Sequence, residues 1–264
     1  MKTSKTLSCV GMLLIFLLSS CSKDKPPQAP QAFTSECLVL KEEGPVAKSY
    51  QYHYSDDGLL ESIEYFSNGT FIRETKLVRD DFNRVIRLNK YHSAGALNSF
   101  TEVSYEGDSE LVTMIEYVDI LDYNTVSSAG STVYENENGR LKKRIYYDPD
   151  YVKVNSTLFD YDDELHQFTE TYYDADGNFS YQKRTTYDST IPHPRLHISL
   201  LPYFQTFAAV KEEFYDDPSG SLLNTTSSRN ITYEIDEENR TIQIRSENFE
   251  ESDLELIQIE YTCN

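Results

Sequence analysis

The stretch Tyr50-Gln51-Tyr52-His53-Tyr54-Ser55-Asp56-Asp57-Gly58-Leu59-Leu60 decides how this chain folds. Its first half alternates tyrosine with other residues, which is the period of a strand that buries one face. A cluster of aspartates and a glycine follows, and glycine suits the positive φ that hairpin turns require. Leu60 then opens a second alternating run that contains Ile63 and Tyr65. The stretch therefore predicts a β-hairpin.

The same pattern recurs along the chain, as in a protein built from hairpin repeats. Related stretches begin at Val78, Tyr105, Tyr134, Phe159 and Tyr233. The apolar position of Leu60 is expected to recur at Val85, Leu111, Leu141 and Leu165. Gly58, Gly139, Gly177 and Gly220 lie where the hairpins would turn. The chain also contains 21 tyrosines, a residue type that suits half-buried strands.

We therefore expect an all-β fold: an antiparallel meander of about 14 to 18 strands that forms a curved single sheet or an incomplete barrel. The repeat is interrupted at about 188–213, where Pro192 and Pro194 cannot donate strand hydrogen bonds. Because an open sheet must cover its apolar face, we expect a loop and a short helix around Tyr203 to Glu213 as a cover. Its apolar residues would be Leu200, Leu201, Tyr203, Phe204 and Phe207. A segment that binds a partner or gates a ligand is the alternative.

The N-terminus has the pattern of an export signal. Lys2 and Lys5 precede an apolar run from Val10 to Leu18, and small residues lead to Cys21. The run is too short for a stable membrane span. The segment resembles a bacterial lipoprotein signal, which implies that residues 1–20 are removed and that Cys21 is acylated. By the same resemblance, Ser22 implies an outer-membrane location, with the periplasmic and the surface-facing leaflet both open.

The remaining chain divides into a tether and a domain. Residues 21–36 combine the lipidated cysteine with a proline-rich polar stretch, and residues 37–264 form the β-repeat domain. The formal net charge is −20, and loss of the signal removes two of the 24 basic residues and none of the 44 acidic ones. Such a protein repels phosphate, so we expect no nucleic-acid partner. The lipid on Cys21 would attach it to a membrane.

Two cysteines, Cys37 and Cys263, remain after Cys9 leaves with the signal and Cys21 takes lipid. Thiols tend to pair in an oxidising compartment, so we predict a disulfide between them. It would tie the first strand to the last. Two separate thiols are the alternative.

No pattern of catalytic, metal-binding or cofactor-binding residues stands out. His193 and His197 have a spacing seen in metal sites, but Pro194 directly follows the first and no glutamate stands beside either. The segment Asp174-Ala175-Asp176-Gly177-Asn178 is better explained as a hairpin turn than as a calcium loop, because its glycine comes at the fourth position. No nucleophile elbow or phosphate-binding loop is present. We expect no catalytic residue, metal or cofactor.

The repeats resemble the YD repeats of RHS-type proteins, whose motif is Tyr-Asp, two residues, Gly, Arg, Leu. The match is Tyr134-Glu135-Asn136-Glu137-Asn138-Gly139-Arg140-Leu141, with Glu135 in place of Asp and one extra residue before Gly139. The resemblance covers about 50–190 and 214–245. Together with the lipoprotein signal, it also resembles cell-envelope repeat lipoproteins. This implies an architecture and no particular activity.

The sequence thus favours a non-catalytic envelope lipoprotein that binds a protein or a glycan or has a structural role. Tyr50, Tyr52, Tyr54 and Tyr65 are a candidate binding face, because tyrosine combines an apolar body with a polar tip. One alternative is a glycan-acting or other hydrolytic enzyme, which would need two carboxylates in a cleft. Another is a carrier of a small apolar ligand, which would need an apolar cavity.

Overall fold

The computed structural model describes residues 37–45, 47–122, 125–192, 207–238, 240–250 and 253–263 of this protein. These residues form sixteen strands. The strands are β1 (Cys37–Glu43), β2 (Lys48–Tyr54), β3 (Leu60–Ser67), β4 (Thr70–Arg79), β5 (Val85–His92), β6 (Leu97–Tyr105), β7 (Val112–Asp122), β8 (Thr125–Glu137), β9 (Arg140–Tyr147), β10 (Lys153–Asp162), β11 (Gln167–Tyr173), β12 (Phe179–Pro192), β13 (Phe207–Tyr215), β14 (Leu223–Ile235), β15 (Thr241–Asn248) and β16 (Leu254–Cys263).

The sixteen strands form a closed barrel. Each strand pairs antiparallel with the next, and β1 pairs with β16. The expected meander and strand number are confirmed, whereas the expected curved single sheet or incomplete barrel is wrong. Closure explains the difference, because an open sheet would leave two unpaired edges and an uncovered apolar face.

The expected helical cover is also wrong for the residues that the structure describes. Residues 207–213 of the predicted helix belong to β13, which pairs with β12 on one side and β14 on the other. Ala208, Ala209 and Lys211 favour a helix by their intrinsic propensity. The hydrogen bonds to β12 and β14 stabilise the strand more strongly than this propensity stabilises a helix. Leu200, Leu201, Tyr203 and Phe204 lie outside the described residues, and Phe207 begins β13.

The inner face of the barrel carries the core. Directly paired residues of neighbouring strands share a face, so the registers assign each side chain to one side of the wall. Two clusters of buried apolar side chains lie on one face, which is the inside of the closed sheet. They comprise Val85, Leu88, Val103, Val112, Ile115, Tyr134, Leu141 and Phe159 in the first cluster, and Val39, Tyr52, Leu60 and Ile259 in the second.

Both clusters lie toward one end of the barrel, which we call the motif end. It is defined by the turns at residues 55–59, 80–84, 106–111, 138–139, 163–166 and 236–240. The opposite end, which we call the open end, carries the turns at residues 44–47, 68–69, 93–96, 148–152, 174–178 and 216–222. The inside of the barrel is therefore packed with apolar groups near the motif end.

A buried residue begins nearly every strand that leaves the motif end. Leu60, Val85 and Leu141 occupy this position, as the repeat predicts. The prediction is wrong for Leu111 and Leu165, because Val112 and Phe168 are the buried residues there. Leu165 instead lies in a turn with 61% of its surface exposed.

A side-chain hydrogen bond joins the two strands at the motif end in seven of the hairpins. In the pair β9 and β10, for example, the backbone ladder ends at the residues Lys143 and Leu158. Leu141 lies two positions nearer the motif end and is not part of this ladder. A tyrosine of the second strand then donates its hydroxyl hydrogen bond to the carbonyl that the ladder leaves unpaired. The pairs are Tyr54 to Val39 (2.9 Å), Tyr105 to Val85 (2.8 Å), Tyr161 to Leu141 (3.0 Å), Tyr233 to Ala209 (2.7 Å) and Tyr261 to Thr241 (2.9 Å).

Two hairpins use another donor for the same purpose. The guanidinium of Arg79 donates to the carbonyl of Leu60 at 3.1 Å, and the amide of Asn136 donates to that of Val112 at 2.9 Å. We call these seven side chains the hairpin caps. Tyr54, Tyr105 and Tyr233 of the repeated motif are thus explained by a backbone carbonyl that needs a donor, whereas in the stretch that begins at Tyr134 the cap is Asn136.

An aspartate at the start of the turn holds two of the turns at the motif end. A carboxylate oxygen of Asp80 accepts the backbone N–H groups of Phe82 and Arg84, and Asp236 does the same for Glu238 and Arg240. Such side chain to backbone bonds are the usual reason for aspartate in turns. The acidic clusters of the sequence are in part turn-forming residues.

The predicted disulfide is confirmed. Cys37 and Cys263 are bonded, with their Cα atoms 4.0 Å apart, at the motif end of the β1–β16 ladder. The guanidinium of Arg240 lies against both sulfurs, 3.2 Å from Cys37 and 2.9 Å from Cys263. The two chain ends of the domain are therefore covalently joined where the barrel closes.

Charged side chains are common on the outer face of the wall, where they lie beside exposed apolar ones such as Leu158 and Leu256. The charged side chains include the cross-strand pairs Glu64 with Glu74, Glu102 with Glu116, Glu135 with Lys143, and Arg184 with Glu213. These pairs lie within the strands, where a membrane-spanning barrel carries an apolar band. Within the described part of the chain, no helix has the length and apolarity needed to cross a membrane.

Candidate ligand-binding cavity

A cavity of about 520 Å³ lies along the inner face of one part of the barrel wall. Strands β7 to β12 supply most of its lining, together with a residue of the 174–178 turn. Tyrosines dominate the lining. The lining residues are Tyr117, Thr132, Tyr134, Arg144, Tyr146, Val154, Asn155, Tyr172, Tyr173, Asp174, Ser180 and Tyr181.

The registers arrange the lining in two rows on the inner face. In the first row, direct pairing runs from Tyr134 through Arg144, Thr157 and Tyr172 to Tyr181, across strands β8 to β12. The second row lies one pair closer to the open end. It contains Thr132, Tyr146 and Asn155 on β8, β9 and β10.

The tyrosine rings combine stacking with hydrogen bonding. The rings of Tyr172 and Tyr181 are stacked, with centroids 4.1 Å apart. The hydroxyl of Tyr117 lies 3.3 Å from that of Thr132, and the hydroxyl of Tyr172 donates to Glu170 at 2.9 Å. These side chains are therefore fixed before any ligand arrives.

The hydroxyl of Tyr134 faces the cavity. The residue as a whole is only 6% exposed, and no described residue forms a hydrogen bond with its hydroxyl. Burial raises the pKa of Tyr134 to about 12, so the hydroxyl remains a donor in neutral water. A hydroxyl in the wall of a cavity that has no protein partner is available to bind a ligand or water.

Gly130 makes room for the rings. It pairs with Tyr117 on the inner face, and its φ is +107°. A Cβ atom there would lie 2.5 Å from the carbonyl oxygen of Tyr147 and 3.1 Å from the hydroxyl of Tyr146. Only glycine fits this position without a shift of its neighbours.

A charged group lies next to the cavity on the inner face. The ammonium of Lys183 is 3.0 Å from Glu170 and 3.2 Å from Glu212. Burial lowers the pKa of Lys183, but the two carboxylates outweigh this effect and the net pKa is raised. Neither carboxylate lines the cavity. With one ammonium and two carboxylates, this triad keeps a net charge of −1.

Asp174 is the one carboxylate among the described residues that line the cavity. It belongs to the predicted hairpin turn, which is confirmed: Asp174 accepts hydrogen bonds from the backbone and the side chain of Asn178. The side-chain bond from Asn178 lowers the pKa of Asp174. Among the described residues no group of three potential metal ligands is found.

The tyrosines singled out from the sequence lie elsewhere. Tyr50, Tyr52, Tyr54 and Tyr65 are on the inner face of β2 and β3, on the side of the barrel that holds the second core cluster. Tyr52 is buried, Tyr54 is a hairpin cap, and the rings of Tyr50 and Tyr65 are 5.2 Å apart. As a binding face this set remains a prediction. Cys21, His193 and His197 lie outside the described residues.

The cavity residues could not be identified from the sequence, because the alternation of tyrosines along their strands is the same as that of the core residues. Tyr134 and Tyr172 alternate with polar residues just as Tyr50 and Tyr52 do. Gly130 lies inside β8 rather than in a turn, and a glycine within a strand often marks the close approach of another group.

The fold is similar to that of two solved barrels. A porin-like protein from Bacteroides uniformis aligns with a TM-score of 0.54 and 13% identity, over 86% of this chain and 96% of that one. A porin-like protein from Bacteroides vulgatus aligns with a TM-score of 0.55 and 13% identity, over 85% of this chain and 98% of that one. At this identity the likeness concerns the fold alone. No protein-family model matches the sequence, and no characterised protein matches it.

Proposed function

We propose that this chain is a non-catalytic binding protein of the cell envelope that takes a short, polar oligosaccharide into the tyrosine-lined cavity. The hydroxyl of Tyr134, which faces the cavity with no partner among the described residues, carries this proposal. A ligand hydroxyl would supply the missing hydrogen bond.

The mixture of groups in the lining favours a sugar over an apolar ligand. Ring faces such as that of Tyr181 can pack against the C–H face of a sugar, while Asn155 and Thr132 offer hydrogen bonds to its hydroxyls. An apolar carrier would need a lining without such groups, because an apolar ligand would leave them unpaired.

The lining also favours binding over hydrolysis. Glycoside hydrolysis ordinarily uses two carboxyl groups on either side of the scissile bond. Asp174 is the one carboxylate among the described lining residues, and Asn178 already holds it within a turn. Glu170 and Glu212 are engaged by Lys183.

The location is part of the same proposal. The signal ending at Cys21 supports a lipid anchor at the outer membrane, and the charged outer face of the barrel suits a domain that stays in water. The Cys21→Ala protein, expressed in a diderm bacterium, should move from the membrane fraction to the soluble fraction. Membrane retention of this variant would contradict the anchor.

A glycan array followed by titration calorimetry tests the ligand. We expect the purified protein to bind a short oligosaccharide, and Tyr181→Ala to weaken binding about tenfold through loss of a stacked ring. Tyr151→Ala is the matched control, since Tyr151 is an exposed tyrosine of the 148–152 turn that does not line the cavity. The proposal fails if no glycan binds or if both variants bind like the unaltered protein.

A further inference from the structure

We propose that the ligand carries a carboxylate, as in a uronic-acid sugar, and that this carboxylate pairs with the guanidinium of Arg144. The inference rests on the proposed function and names the chemistry of its ligand. It follows from the bonding of Arg144, its position in the cavity and the neighbouring hydroxyl of Tyr134.

Arg144 is the one cation among the described lining residues, and most of its hydrogen-bonding capacity is unused. One nitrogen donates to the hydroxyl of Thr157 at 3.3 Å, and the guanidinium carbon lies 5.8 Å from the ring centre of Phe159. No described carboxylate forms an ion pair with it. A guanidinium has five N–H donors, so several remain available.

Two other inward-facing arginines of the barrel, Arg79 and Arg229, have protein partners for their guanidinium groups. Arg229 pairs with Glu255 at 2.8 Å and with Asp253 at 3.4 Å. Arg79 donates to the carbonyls of Leu60 and Asn83. The chain has a large excess of carboxylates, yet none is placed against Arg144 within the described residues. A ligand anion would fill that place.

The surroundings of Arg144 suit a carboxylate in particular. Tyr134 is its direct partner on β8, so the free hydroxyl and the guanidinium face the same space. The planar fork of an arginine binds two carboxylate oxygens at once, and a phenol can donate to either oxygen. The hydroxyl of Tyr172 is already bound to Glu170, whereas that of Tyr134 has no partner among the described residues and lies on the residue paired directly with Arg144.

The net charge of −20 does not oppose such a contact at short range. Repulsion between the acidic surface and an anionic ligand acts at distances where physiological salt screens it, beyond about 8 Å. The charge-assisted bond to Arg144 forms at contact distance within a partly enclosed site.

Calorimetry with matched acid and ester ligands tests the inference. The probes are the dimers of galacturonate and of glucuronate, each beside its methyl ester, which keeps the sugar rings and removes the charge. We expect the purified protein to bind at least one acid about tenfold or more tightly than its ester. Arg144→Gln should abolish this preference and leave ester binding within about threefold, whereas Arg144→Lys should keep part of the preference.

Arg184→Gln is the control for total charge. Arg184 is also half-buried and lies over an aromatic ring, that of Tyr215, but it faces the outside of the wall. Its loss should leave the acid preference unchanged. Equal binding of acid and ester, or equal effects of the two glutamine variants, would overturn the inference and leave the proposed function standing. If neither form binds and the glycan array is also empty, the proposed function fails as well.

Discussion

The phenolic oxygen of Tyr161 lies 3.0 Å from the carbonyl oxygen of Leu141 and donates a hydrogen bond to it across the β9–β10 hairpin. Leu141 is fully buried, so water cannot replace the bond. A buried acceptor that loses its partner ordinarily destabilises a protein by about 1–3 kcal/mol.

We therefore expect Tyr161→Phe to lower the free energy of unfolding by about 1–2 kcal/mol, as measured by urea denaturation. Tyr151→Phe is the control, because Tyr151 is 69% exposed in a turn and its change should stay within about 0.5 kcal/mol. Equal stability of the two variants would show that the hairpin caps are not needed.

Buried tyrosines make the barrel sensitive to alkali. Burial raises the pKa values of Tyr134 and Tyr261 to about 12, compared with about 10 in an unfolded chain. The folded state then holds these protons more tightly, so their stabilising contribution is complete below about pH 10 and is lost as the pH rises toward about 12.

We expect the free energy of unfolding to fall with increasing pH above about 10, in step with tyrosinate absorbance. Tyr261→Phe should be less stable at neutral pH but should lose less stability in alkali. An unchanged alkaline slope in this variant would contradict the assignment.

The disulfide should contribute strongly to stability, because it joins residues separated by 226 positions. Chain entropy alone gives about 4–5 kcal/mol for such a loop, and removal of a native disulfide ordinarily lowers stability by about 2–5 kcal/mol. Cys37→Ser should lower the urea midpoint accordingly. Cys263→Ser and the double variant should match it, and reductant should affect only the unaltered protein. A midpoint that reductant leaves unchanged would refute this expectation.

Gly130 should tolerate no side chain. In Gly130→Ala the Cβ atom would approach the carbonyl oxygen of Tyr147 to 2.5 Å at a positive φ. We expect a loss of about 1–3 kcal/mol and a change in the near-ultraviolet circular dichroism of the tyrosines. Gly69→Ala is the control, since Gly69 also has a positive φ but nothing within 4 Å of the added atom. A similar loss in both variants would mean that backbone strain alone is responsible.

Local patterns in the sequence predict the hairpins but not their registers. The spacing of six residues from Tyr54 to Leu60 fits the first turn, whereas the turn after Tyr105 is one residue longer and moves the buried position to Val112. The repeat beginning at Phe159 is displaced because both Phe159 and Tyr161 face inward, and a period of two cannot tell which of them ends the strand.

Closure and the cavity depend on contacts between distant parts of the chain. The β1–β16 ladder joins the first and last strands, and only the pair Cys37 and Cys263 indicates it in the sequence. Arg144 and Tyr134 meet through the register of β8 and β9, which depends on a bulge between Glu135 and Asn136. No composition or motif reveals that juxtaposition, so the cavity could be found only from the structure.

The hairpin caps give the barrel a modular construction. Each cap joins the two strands of one hairpin, as Tyr105 does for β5 and β6, and none reaches into the next pair. A duplicated hairpin would therefore bring its own cap and its own turn, and the existing hairpins would lose nothing. Gene duplication could in this way widen or narrow the barrel two strands at a time, while the cysteine pair continues to seal the circumference.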